Sequence, residues 1–155
     1  AQVQEDRRLS IMRNHTATHL LQAALRKILG THVQQQGSLV AEDRLRFDFT
    51  HPDKVSSSEL LKIEEMVNTQ IKKALPVTVK SEKFSEAKKN GALAFFGTKY
   101  PEVVTVYTIG SGNDIFSQEV CTGPHVKNTS ILGKFKIQKE ESAGSGKRRI
   151  YAILM

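Results

Sequence analysis

Tryptophan is absent from the 155 residues, and cysteine occurs once. A single cysteine excludes an internal disulfide and suits a reducing, cytoplasmic setting. Aromatic residues make up only 6% of the chain, which does not favour recognition of single-stranded nucleic acid by extensive base stacking. No apolar run approaches the roughly 20 residues that span a bilayer, so no membrane partner is expected. The opening segment AQVQEDRRLS is polar and charged and carries no secretory signal. An initial Met is missing too, and the chain stops on the apolar run IYAILM. These ends read as those of a piece excised from a longer protein.

What is present is ordinary for a globular chain: 39% apolar and 25% charged residues. The length suits one domain, 1–155, with a real core. The net charge is +7 and the pI about 9.6. Such a surface attracts phosphates and steers polyanions. The same excess also serves a merely solvated surface, so charge alone argues weakly for nucleic acid.

Periodicity predicts one long helix from about Glu5 to Leu29, stopped by Gly30. Leu20, Leu21, Ala24, Leu25 and Ile28 fall on one side. His15, His19, Gln22 and Arg26 form a stripe beside it. Strands are expected near His32–Val40 and Arg44–Phe49. A second helix runs from the Ser56–Ser58 triplet to about Leu75, closed by Pro76. Further strands are expected at Val77–Lys80, Val103–Ile109, Ile115–Val120, Lys134–Lys139 and Arg148–Leu154. A short helix is expected near Ser85–Asn90, and a Gly/Ser-rich turn at Ser142–Gly146. The predicted class is α+β: a long N-terminal helix, bearing metal ligands, packs with a second helix against a mainly antiparallel sheet.

Two short motifs carry most of the chemistry, His15-Thr-Ala-Thr-His19 and Cys121-Thr-Gly-Pro-His125. Each sets two metal-capable side chains four positions apart, and together they hold four of the chain's six Cys and His residues. On a helix, residues four apart are neighbours, so His15 and His19 can bite one ion. Cys121 and His125 can do so from a bent loop after a strand. One Zn²⁺ in a tetrahedral site of His15, His19, Cys121 and His125 is the natural reading. The alternative is two pairs of ordinary buried or surface side chains. Metalloproteases of the His-x-x-x-His type place Glu after the first His as general base; Thr16 stands here instead. Glu119 shares a strand face with Cys121 and reads as a structural ion-pair partner. Four protein ligands are usual for structural zinc, whereas catalytic zinc keeps an open position. His32 and His51 read as non-ligands, and Phe47, Phe49, Phe95 and Phe96 as core.

The segment NHTATHLLQAALRKILGTHVQQQGSLV with LRFDF resembles the start of the editing domain of alanyl-tRNA synthetase. VNTQI and EAKKNGALAFFGTKY continue the resemblance, and EVCTGPHVKNTSILGKFKI with GKRRIYAIL resembles the end. It runs from about Arg13 to Leu154. The resemblance implies that His15, His19, Cys121 and His125 bind zinc. It also implies a reaction, hydrolysis of the ester joining a wrong amino acid, serine or glycine, to the 3′ end of tRNA. Thr18 and Gln35 match family residues with functional roles. With Cys121, whose loss should abolish hydrolysis, they form the expected catalytic set. Thr18 and Gln35 are expected to bond the serine hydroxyl or orient a water. Basic residues near the zinc motif, namely Arg26, Lys127, Lys147, Arg148 and Arg149, are expected to meet the tRNA acceptor end. The rest of a parent synthetase is the other expected partner.

Two positions depart from the alanyl pattern. The usual loop is Cys-Gly-Gly-Thr-His, and the Gly-Pro-His form here is more like threonyl enzymes. Tyr151 stands where alanyl enzymes usually have Glu. A threonyl-type or free-standing trans-editing domain therefore stays open beside the alanyl one. So does a zinc-stapled tRNA-binding module without chemistry. A metallohydrolase independent of nucleic acid is disfavoured, because no motif carboxylate can act as base.

Overall fold

A computed structural model describes residues 1–95 and 97–155. The elements run α1 (Gln2–Leu29), β1 (Gln35–Val40), β2 (Leu45–Thr50), α2 (Ser57–Lys72), β3 (Val77–Lys83), α3 (Phe84–Lys89), β4 (Val103–Ser111), β5 (Asp114–Val120), a 3₁₀ turn at Thr129–Leu132, β6 (Phe135–Gly144) and β7 (Lys147–Leu154). The α+β class and the two main helices agree with the sequence reading. No helix among the described residues is long and apolar enough to cross a membrane.

The strands form two antiparallel sheets rather than one: β1-β2-β7-β6 and β3-β4-β5. The division follows from what lies between β5 and β6. The Cys121–His125 loop and the 3₁₀ turn turn the chain away, and β5 pairs only with β4. A bridge between Pro76 and Asn128 is one of the few backbone ties across this region.

The main core is built where helical and strand periods agree. Ala17, Leu20, Leu21, Ala24 and Leu25 of α1 meet Ile63, Val67 and Ile71 of α2 over Leu45, Phe47 and Phe49 of β2 and Ile150 and Ala152 of β7. These side chains are almost fully withdrawn from water, and each large one contributes about 1.5–3 kcal/mol of transfer free energy. A smaller cluster, Ala87, Ala92, Val104 and Val106, lies between α3 and the three-stranded sheet.

Helix ends have local causes. Ser56 and Glu59 cap α2 reciprocally, each side chain bonding the other's backbone N–H. The helix stops at Lys72, short of Leu75, because Ala74 turns to φ 52°. Leu75 N–H then donates to Thr129 Oγ1. Gly30 ends α1 at φ 128°, and a Cβ there would meet the His32 ring. The expected turn at Ser142–Gly146 shrinks to its last two residues, because β6 and β7 pair as far as Gly144 and Lys147.

Phe47 and Phe49 are core as expected, but Phe95 is not: it stands 50% exposed in the segment between α3 and β4. That segment has no regular period to turn a side chain inward, and Phe95 N–H is tied instead to the Tyr100 hydroxyl at 2.7 Å. Phe96 lies outside the described residues.

Candidate metal centre

Helix α1 carries His15 and His19 one turn apart, on a flank of its core face. Strand β5 ends at Val120 and delivers Cys121 beside them; the chain then bends at Gly123 and returns His125. The bend requires glycine: φ is 72°, and a Cβ would collide with the Tyr107 hydroxyl. One ligand atom from each of His15, His19, Cys121 and His125 lies within 4.8 Å of all the others. His19 and His125 are buried, while His15 and Cys121 are half-buried.

Each histidine has its Nδ1 held by an acceptor. His15 Nδ1 faces the Pro124 carbonyl at 3.2 Å. His19 Nδ1 faces Glu119 Oε2 at 2.7 Å. His125 Nδ1 faces Thr16 Oγ1 at 3.0 Å. Thr16 has already donated its proton to the Met12 carbonyl at 2.9 Å, so it can only accept from His125. With Nδ1–H committed outward in all three rings, each Nε2 keeps its lone pair for the centre. Cys121 Sγ completes the set, and Gly123 N–H points at it from 3.3 Å.

The electrostatics favour a bound cation. Burial raises the Cys121 thiol, but hydrogen bonds from His125, His15 and His19 outweigh it and hold the pKa down at about 3. Burial pushes His125 down to about 4, which keeps it neutral. Burial also opposes charge on His19, yet Glu119 and Cys121 raise it to about 10. The pocket thus encloses two anions, Cys121 and Glu119, and calls for two positive charges; a proton on His19 supplies one. A divalent ion supplies both and competes for the same Nε2.

The donor set fits such an ion. A tetrahedral Zn²⁺ with one thiolate and imidazole ligands has S···N edges of about 3.6 Å, from bond lengths of about 2.3 and 2.05 Å. Cys121 Sγ lies 3.6 Å from His15 Nε2 and 3.3 Å from His125 Nε2. Sequence reasoning gave these four residues but missed Thr16, which serves both His125 and, at 3.2 Å, Val126 N–H. Its only signal was its place directly after a ligand. Glu119 is an ion-pair partner as expected, and its partner is a ligand.

The remaining predicted residues separate. Thr18 is buried and donates to the Asn14 carbonyl of its own helix at 2.9 Å. Gln35 begins β1 and, with Gln22, Gln34 and Glu119, lines a cleft of about 150 Å³. Glu119 therefore borders both the metal centre and the cleft. Arg26 lines the same cleft, holding the Val33 carbonyl with one Nη at 2.6 Å. Lys127 and Lys147 are exposed. Arg148 is clamped in two-point fashion on Glu140 at 2.8 and 2.7 Å, and Arg149 likewise on Asp48 at 2.8 and 2.9 Å. These two arginines brace the sheet.

Comparison with known proteins agrees with this architecture. Residues 104–151 match the profile of the family described as threonyl and alanyl tRNA synthetase second additional domain. An alanine–tRNA ligase of Borrelia garinii subsp. bavariensis is 56% identical over 143 residues, covering 92% of this chain and 23% of that protein. That of Pseudothermotoga lettingae is 52% identical over 151 residues, 97% of this chain and 17% of that protein. That of Geobacillus kaustophilus is 52% identical over 153 residues, 99% of this chain and 17% of that protein. The chain thus spans about a fifth of the length of these relatives. With His-x-x-x-His and Cys-x-x-x-His brought to one point, the chain belongs to the threonyl and alanyl tRNA synthetase second additional domain family.

Proposed function

We propose that this domain hydrolyses the ester of a mischarged tRNA, chiefly serine and glycine on alanine tRNA, as the proofreading unit of an alanyl-tRNA synthetase. The observation that carries the reading is the convergence of three Nε2 atoms and one thiolate beside an amide-lined cleft, in a chain whose relatives are alanine–tRNA ligases. His15, His19, Cys121 and His125 would hold one Zn²⁺. When bound, it supplies positive charge that polarises the ester carbonyl or fixes the substrate's amino group.

An aminoacyl ester is already activated, so positioning does most of the work. Water adds to the ester carbonyl, the ribose oxygen leaves with a proton, and free amino acid and tRNA result. Gln35 offers both a donor and an acceptor in the cleft. Thr18 Oγ1 uses its proton within the helix, so it meets a serine hydroxyl only as an acceptor. A site built to bond that hydroxyl leaves its own groups unpaired when alanine enters, which spares the correct product. Arg26, Lys127 and Lys147 retain donors for tRNA phosphates; Arg148 and Arg149 do not carry that role.

The test is deacylation of Ser-tRNA(Ala), Gly-tRNA(Ala), Ser-tRNA(Thr) and Ala-tRNA(Ala), with zinc assayed on the same sample. Loss of the first two with Ala-tRNA(Ala) spared is the expected result. Preference for Ser-tRNA(Thr) would instead support a threonyl-type role in line with the Gly-Pro-His loop. A second reading is a zinc-stapled tRNA-binding module without chemistry, favoured by the four protein ligands and by the internal bond of Thr18. No hydrolysis by the folded, zinc-loaded domain would select it.

A further inference from the structure

The cleft beside Glu119 does not end there. A second, more apolar lobe of about 490 Å³ adjoins it, with Lys27, Ile115 and Phe116 in its wall. Arg26, Thr31 and Leu93 line both lobes and so stand where they join. The first lobe carries Phe95, half its surface open to solvent. Lys27 Nζ is held 4.7 Å above the Phe116 ring, which fixes its charge at the second lobe. Arg26 uses one Nη on the Val33 carbonyl, which leaves other guanidinium N–H groups to donate.

An exposed aromatic face, two cations at the junction and an apolar lobe beyond them match the alternation of base, phosphate and base in a single strand. From this we propose that the two-lobed cleft seats the single-stranded 3′ end of tRNA, with the terminal base on Phe95, the next phosphate on Arg26 and Lys27, and the following base in the lobe of Ile115 and Phe116. The inference rests on the editing reading for its occupant. It adds a route for the strand that leads away from the metal centre along α1. The stripe His15, His19, Gln22, Arg26 is that route seen on the helix: metal ligands at one end, cleft at the other. A chain of +7 net charge draws the strand in.

Binding can be tested apart from hydrolysis. A short 5′-labelled RNA ending in CCA, without an amino acid, is titrated into the zinc-loaded chain and followed by fluorescence anisotropy. Phe95→Ala and Lys27→Glu should each weaken binding roughly tenfold. Lys139→Glu, on the surface of β6, serves as a charge control and should change it far less. The same proteins are assayed on Ser-tRNA(Ala). If wild type binds the RNA through Phe95 and Lys27 but hydrolyses nothing, the cleft assignment stands and the editing reading falls. If wild type hydrolyses and both variants bind RNA like wild type, the cleft assignment falls alone. Failure of wild type to bind the RNA, or equal loss with Lys139→Glu, also overturns it.

Discussion

Glu119 Oε2 lies 2.7 Å from His19 Nδ1, and both side chains are buried. The carboxylate fixes the imidazole tautomer and adds negative charge behind a ligand. Glu119→Gln keeps an acceptor but removes the charge. Zinc affinity should fall about 10- to 100-fold, as is typical for such partners. Competition with a chromogenic chelator measures this, and an unchanged affinity would show that the carboxylate does not tune the centre.

Thr16 accepts from His125 Nδ1 and from Val126 N–H. Thr16→Val preserves shape but leaves two buried donors without a partner, at a cost of about 1–3 kcal/mol. In a domain of this size that lowers Tm by roughly 2–4 °C per kcal/mol. Thr16→Ser keeps the oxygen and should melt close to wild type. Equal melting of the Val and Ser variants would remove the hydroxyl from the account.

Glu140 is almost fully buried beneath Arg148, and its Oε2 also takes Val55 N–H at 2.9 Å. Burial raises its pKa, but Arg148 and the backbone bond outweigh burial and lower it below 4.5. A carboxyl depressed in the folded state binds fewer protons there than in the unfolded chain. Its stabilisation is therefore complete above about pH 4.5 and is lost as pH falls through the folded value. Melting curves across acid pH should show a steeper loss for wild type than for Glu140→Gln. Parallel curves would rule the pair out as an acid-sensitive element.

Chelation should not unfold the domain. The main core of α1, α2 and the four-stranded sheet contains none of the four ligands. Stripping the metal should lower Tm while the far-UV helical signal persists at room temperature. Collapse of that signal on chelation would mean the metal is the principal source of folding energy, as in zinc fingers.

The ligand set was legible because its logic is local: a four-residue spacing on a helix, and the same spacing across a bend. Thr16 was not, since Thr16 and Thr18 both bond a carbonyl one turn back. Only the distant arrival of His125 distinguishes them. Arg148 and Arg149 looked free because their carboxylates lie across strand pairings, Glu140 on β6 and Asp48 on β2. Pairing order also decides between one sheet and two, and no local pattern encodes it. Phe95 was misplaced in the core because aromatic identity suggests burial, and its segment has no period to correct that. Low aromatic content argued against extensive stacking; it says nothing about one well-placed ring.

The two halves of the centre are 106 residues apart in the chain. During synthesis the pair on α1 emerges early and remains half a binding site until Cys121 and His125 have followed. Tight capture of an ion can then occur only when nearly the whole domain has been made. Metal uptake would thus act as a completion signal, and a chain truncated before β5 would leave the ribosome without one.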